Sequence, residues 1–248
     1  MTRSDFLKNV YSYYWLSARE NIYGLNNPYD RALIQLIEKN IRSKSNMLDI
    51  AAGTGLPFAK HFVSQGHHVH ACDLADVLVR AFRINVPNAE IRTESSHDLS
   101  FVSSFFDVTY CFHSTWYFEY FQKSILEMIR VTKEKGLIYF DVQNKLNDEI
   151  KKSFEFHKSQ NQGWGLLRRY YYNVLMTLKK QGKPSWAKVV YETPTDPIEL
   201  LSYLMSMGQQ DINIYFRTES HELIKADKRS LSLYPRLVFE IKVTQKKS

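Results

Sequence analysis

Only two cysteines occur in 248 residues, Cys72 and Cys111, and neither belongs to a C-x-x-C pair. That spacing excludes a disulfide framework and a cysteine zinc site, and it fits a reducing compartment. No uncharged apolar run reaches the ~20 residues needed to span a bilayer, and Met1 to Ala18 holds no continuous apolar stretch of the signal-peptide kind. A cytoplasmic protein without a transmembrane segment is therefore expected. Internal repeats and low-complexity segments are also missing. What remains is ordinary globular composition, 44% apolar and 24% charged, enough for a core that needs no staple. The length suits one α/β domain over 1–248.

Positive charge is abundant but local. Residues 145–190 hold ten Lys or Arg and three acids, so this segment alone carries the whole net charge of +7. Elsewhere 23 basic residues face 23 acidic ones. A local excess points to a surface with a task, whereas a solubility device would be spread out.

Hydrophobic periodicity alternates along the chain. A helical segment over 1–45 includes Asn27-Pro28 as a helix start, with Ala32, Leu33, Leu36 and Ile37 on one stripe. Strands are expected at Met47 to Ala51, His68 to Cys72, Ala89 to Arg92, Phe106 to Cys111, Leu137 to Val142, Ile212 to Phe216 and Leu237 to Val243. Helical patterns separate the first five, and another runs from Pro197 to Met207 before Gly208. Strands alternating with helices of this length imply right-handed crossovers and a doubly wound, mostly parallel sheet. Residues 145–190 interrupt the alternation and read as a helical cap insertion, with Trp164, Leu167, Tyr171, Val174, Leu175 and Leu178 at helical spacing.

The strongest local signal is Leu48-Asp49-Ile50-Ala51-Ala52-Gly53-Thr54-Gly55, a strand running into a tight loop before a helix. Glycines there let a ligand approach the backbone, and free N–H groups at the helix start favour an anionic group. Asp73, 24 residues after Asp49, closes the next strand, where a carboxylate can accept both hydroxyls of a ribose. Ser95-Ser96-His97-Asp98-Leu99-Ser100-Phe101 precedes the fourth strand. Together these blocks resemble the D-x-G-x-G-x-G and D-A-x-D-L-P-F motifs of class I S-adenosylmethionine-dependent methyltransferases. Ala51 replaces the first glycine, and Ser95 stands where the family has an acid. A nicotinamide-binding fold fits less well, because its third glycine is Phe58 here.

The resemblance implies a Rossmann-like, seven-stranded sheet with an antiparallel last strand. It implies S-adenosylmethionine as cofactor, held by Asp49, Ala51, Gly53, Gly55, Asp73, Leu74, Ser96, His97 and Phe112. His113, just past the fourth strand, is the first candidate for a general base; a loop histidine held by hydrogen bonds is the other reading. Asp141 at the end of the fifth strand is a weaker candidate base. Tyr14 and its aromatic neighbours Tyr11, Tyr13 and Trp15 either close over the site or belong to the core. Trp116, Trp164, Arg168 and Arg169 are candidate contacts to a polar or anionic small-molecule acceptor. Basic residues interleaved with aromatics also suit RNA, but no recognised RNA-binding module accompanies them. A non-catalytic, cofactor-binding protein of the same fold is the remaining alternative. No metal site is expected.

Overall fold

The computed structural model describes residues 27–160, 163, 167, 192–227 and 229–244. Helix α1 spans Pro28–Glu38 and starts as its sequence dictates: the Asn27 side chain accepts from the Tyr29 amide at 2.9 Å, and Pro28 fills the first turn. Tyr29, Asp30, Leu33, Ile34, Leu36 and Ile37 form its buried face. Its carboxyl end is tied down by Asn40, whose amide donates to the Tyr139 hydroxyl at 3.2 Å and to Glu240 Oε2 at 3.1 Å.

The chain then alternates. Strand β1 (Asn46–Ile50) leads to α2 (Phe58–Ser64), β2 (His68–Asp73), α3 (Asp76–Asn85) and β3 (Glu90–Thr93). Strand β4 (Phe106–Cys111) leads through a short 3-10 turn to α4 (Phe121–Val131) and β5 (Thr132–Gln143). Helix α5 (Asp148–Gln160) follows, and after the undescribed stretch come α6 (Pro197–Ser206), β6 (Asp211–Arg217), β7 (Leu223–Lys225) and β8 (Arg236–Lys242).

The eight strands among the described residues join one sheet in the order β3-β2-β1-β4-β5-β8-β6-β7. Pairings from β3 to β5 are parallel, and β8 runs antiparallel between β5 and β6. The sequence predicted seven strands, and the described residues hold eight. The additional strand, β7, pairs antiparallel with β6 at the sheet edge. It is three residues long and mostly exposed, so it carries neither the length nor the apolar alternation that makes a strand legible.

Helices cover both faces, as a largely parallel sheet requires. Along β1, Leu48 and Ile50 point to one layer with Phe140, Phe239, Met128 and Leu204. Met47 points to the other with Leu33, Phe62, Phe82 and Tyr139. Alternate residues thus feed separate cores, each fully buried large side chain contributing about 1.5–3 kcal/mol. No helix among the described residues is long and apolar enough to cross a membrane.

Register between β4 and β5 shifts between Phe106 and Val108. Gly136 packs against that irregularity: a Cβ there would lie 2.7 Å from the Thr132 methyl and 2.9 Å from the carbonyl oxygens of Asp107 and Lys133. Two of those neighbours are backbone and cannot rotate away. Gly136→Ala is expected to cost about 2 kcal/mol, seen as a lower midpoint of chemical unfolding with an unchanged slope.

Candidate cofactor and acceptor site

The loop after β1 turns sharply because three of its residues have left-handed backbones: Ala51 at φ 56°, Gly53 at 60° and Gly55 at 77°. Its amides are claimed by β2. The Ala52 N–H donates to the Cys72 carbonyl at 3.1 Å, and the Gly53 N–H to Asp73 Oδ2 at 2.9 Å. Asp73 Oδ1 accepts from the Ala75 N–H, also at 2.9 Å, so one carboxylate clasps the loops that follow both strands. Asp49 is buried beneath the loop, and Tyr110 lies beside it; burial, then the Asp49 carboxylate, pushes the Tyr110 phenol well above its ordinary range. Asp49, Ala51, Ala52, Leu56, Pro57, Phe58, Phe112 and His113 line a small pocket at the carboxyl ends of β1 and β4. Phe58 fills the position of a third glycine with a ring 5.0 Å from that of Phe112.

Past β3, the Ser96 hydroxyl meets that of Ser124 at 2.8 Å, and His97 Nδ1 meets the Ser95 hydroxyl at 2.7 Å. The His97 ring stands edge-on to Tyr120, with centroids 4.8 Å apart. Leu74 is half-buried beside Asp73.

His113 lies in a buried charge cluster. Its backbone is left-handed, φ 59°, and its N–H donates to Asp141 Oδ1 at 2.7 Å. Ring atom Nε2 is 2.7 Å from Asp30 Oδ1, and Nδ1 is 3.0 Å from Arg236 Nη1. A guanidinium only donates, so Nδ1 presents its lone pair to Arg236 and the ring hydrogen sits on Nε2, donating to Asp30. Asp141 Oδ2 lies 3.6 Å from Nδ1 and 4.0 Å from Arg236. The Arg236 guanidinium rests over the buried Trp116 ring, 4.7 Å from its centre. Tyr29 stands edge-on to the imidazole at 5.6 Å. Burial, then Asp141, drives its hydroxyl far above the usual tyrosine range.

The family model for a methyltransferase domain matches residues 48–140. A solved S-adenosylmethionine-dependent methyltransferase of Archaeoglobus fulgidus superposes with a TM-score of 0.61 at 13% identity, covering 92% of this chain and 99% of its own. The fold is that of the class I S-adenosylmethionine-dependent methyltransferases. A Thermotoga maritima protein described as a methyltransferase and a possible histamine N-methyltransferase gives 0.59 at 11% identity over 98% and 100% of the two chains. A TehB-like methyltransferase of Corynebacterium glutamicum gives 0.59 at 12% over 96% and 98%. No curated protein matches the chain in sequence.

On this methyltransferase fold, the structure gathers Asp49, Ala51, Gly53, Gly55 and Asp73 around one loop, and Phe112 and His113 line a pocket with Asp49 and Ala51. Ser96 and His97 lie on the loop after β3, and Trp116 joins the His113 cluster through Arg236. Tyr14, Trp164, Arg168 and Arg169 lie outside the described residues, as do Tyr11, Tyr13 and Trp15. Sequence reasoning missed Asp30 and Arg236, which stand 83 and 123 positions from His113. Neither belongs to a local motif, and only the fold brings them to the imidazole. It also passed over Glu94, which directly precedes Ser95 and accepts from the Ser100 amide and hydroxyl.

Ala51 holds a conformation that costs an L-residue about 1–2 kcal/mol and a glycine little. Allowing for glycine's greater freedom when unfolded, Ala51→Gly should stabilise by about 1 kcal/mol, raising the melting temperature by about 2–4 °C. Gly55→Ala should do the opposite. Its Cβ would meet Phe82 and Val86 side chains at 2.7 Å in a left-handed turn, at a cost of about 3 kcal/mol. Thermal unfolding of both variants checks the pair.

Proposed function

We propose that this chain transfers a methyl group from S-adenosylmethionine to an oxygen or nitrogen of a polar or anionic small molecule. The observation that carries the reading is the Asp73 carboxylate clasping the Gly53 loop at the carboxyl end of the parallel sheet. That end of a doubly wound sheet is where ligands bind. The residues present fit the cofactor. Gly53 leaves no side chain between loop and ligand, Gly55 lets the loop pack against Phe82 and Val86, Asp73 offers a carboxylate for ribose hydroxyls, and buried Asp49 offers one near an ammonium. Leu74, Ser96, His97 and Phe112 would contact the nucleoside, and Ala51 its amino-acid end. The cofactor, when bound, supplies a methyl group already activated by a positively charged sulfur.

The protein's remaining work is positioning, together with removal of one proton. His113 is the base in this reading, beside the pocket and on the acceptor side of Phe112. Trp116 forms a wall in this reading, and Trp164, Arg168, Arg169 and Tyr14, which lie outside the described residues, remain the proposed acceptor contacts, the first three from a 145–190 lid. The setting is cytoplasmic. The charge excess in the lid is what favours an anionic small molecule.

Calorimetric titration with S-adenosylmethionine and S-adenosylhomocysteine, with NAD as control, tests the cofactor. Micromolar binding of the sulfur compounds alone is expected. Asp73→Ala removes acceptors for two hydroxyls, each worth about 1.5–3 kcal/mol to a charged partner, so affinity should fall about a hundredfold or more. Preference for NAD, or no binding of the sulfur compounds, overturns the reading. His113→Ala should then lower kcat by about a hundredfold to ten-thousandfold while cofactor affinity holds.

A further inference from the structure

We infer that Arg236 is the residue that recognises an oxyanion on the acceptor, and that it masks the basic nitrogen of His113 until that oxyanion arrives, while Asp30 positions the imidazole. The inference rests on the methyl-transfer reading and adds a substrate requirement to it.

A base must present a lone pair to the proton it removes. The Nδ1 lone pair of His113 points instead into the guanidinium of Arg236, 3.0 Å away. The other ring nitrogen is committed to Asp30 at 2.7 Å, and the Asp30 side chain has no solvent exposure. This is the arrangement of an aspartate–histidine pair: the carboxylate holds the ring in one tautomer, leaving the opposite nitrogen as the base. Here that nitrogen is covered.

The cover is more exposed than its neighbours. Asp30 and Asp141 are fully buried and the His113 side chain is 5% exposed, but Arg236 is 33% exposed at the start of β8, lying on Trp116. A guanidinium carries five donors in a planar fork, a geometry that matches the oxygens of a carboxylate or phosphate. An acceptor bearing such a group draws Arg236 toward itself and exposes Nδ1. The acceptor's O–H or N–H bond then breaks. Its proton goes to Nδ1, its electron pair forms the bond to the methyl carbon, and the electrons of the carbon–sulfur bond stay on a neutral thioether.

The surroundings are built for the imidazolium that results. Asp30 Oδ1 lies at one ring nitrogen and Asp141 Oδ2 at 3.6 Å from the other. Asp30 Oδ2 and Asp141 Oδ2 are buried atoms without a hydrogen-bond partner among the described residues. A positive charge on the ring therefore sits between two buried carboxylates. A neutral acceptor analogue leaves the base covered, and it should lose kcat as well as affinity.

Nitrogen NMR of histidine-labelled protein reads the device directly, without cofactor. The expected spectrum shows His113 protonated at Nε2 and bare at Nδ1. Millimolar inorganic phosphate should shift the Nδ1 resonance, an equal concentration of chloride should not, and Arg236→Met should abolish the response. A proton on Nδ1, or a wild-type Nδ1 resonance indifferent to phosphate, overturns the inference. In turnover, Asp30→Asn should lower kcat tenfold or more with acceptor KM unchanged; a change in KM alone counts against a positioning role. Because the spectrum needs no methyl donor, its failure is distinct from failure of cofactor binding in the calorimeter.

Discussion

Backbone N–H groups left over where strands of a parallel sheet end must find acceptors, and in this protein carboxylates supply them. Asp73, at the end of β2, takes the amides of Gly53 and Ala75. Asp141, on β5, takes the amide of His113 just beyond β4. At the opposite end of the sheet, Asp107 takes the amide of Asn46 where β1 begins. A buried amide without a partner costs about 1–3 kcal/mol, so these side chains fix where each loop leaves the sheet. The pocket follows, since its walls are those same loops.

The strand-end carboxylates have a second consequence. Once Asp73 and Asp141 are buried to hold backbone, their charge is available to a ligand or a neighbouring side chain at close range, with little water to screen it. Asp73 is thereby both the clasp of the Gly53 loop and the acceptor proposed for ribose hydroxyls. Asp141 holds the His113 backbone in its left-handed turn and faces the same residue's ring. The Asp141 contact ties the placement of His113 to the integrity of β5.

Helix α1 enters this arrangement from outside the motif-bearing core. It packs Leu33 and Ile37 against the sheet and delivers Asp30 to the imidazole, while Asn40 pins its far end to Tyr139 and Glu240. Strand β8 contributes from the other direction, its first residue Arg236 reaching the opposite ring nitrogen. The surroundings of His113 are thus assembled from three regions far apart in the chain, whereas the Asp49 to Gly55 loop and its clasp come largely from one.

That difference explains how much the sequence determined. Local spacing was enough for the alternation of strands and helices, for the Asp49 to Gly55 loop, and for Asp73 at the next strand end, because each depends on residues within a turn or two of one another. Burial periodicity also placed α1 with Leu33, Leu36 and Ile37 inward, as found. The eighth strand escaped notice because three exposed edge residues leave no periodic trace. What only the tertiary structure decided is the state of His113. Its place after β4 could be read from the chain, but its tautomer and the cover on Nδ1 are set by Asp30 and Arg236. Those partners are brought within 3 Å by long-range packing that no local pattern encodes.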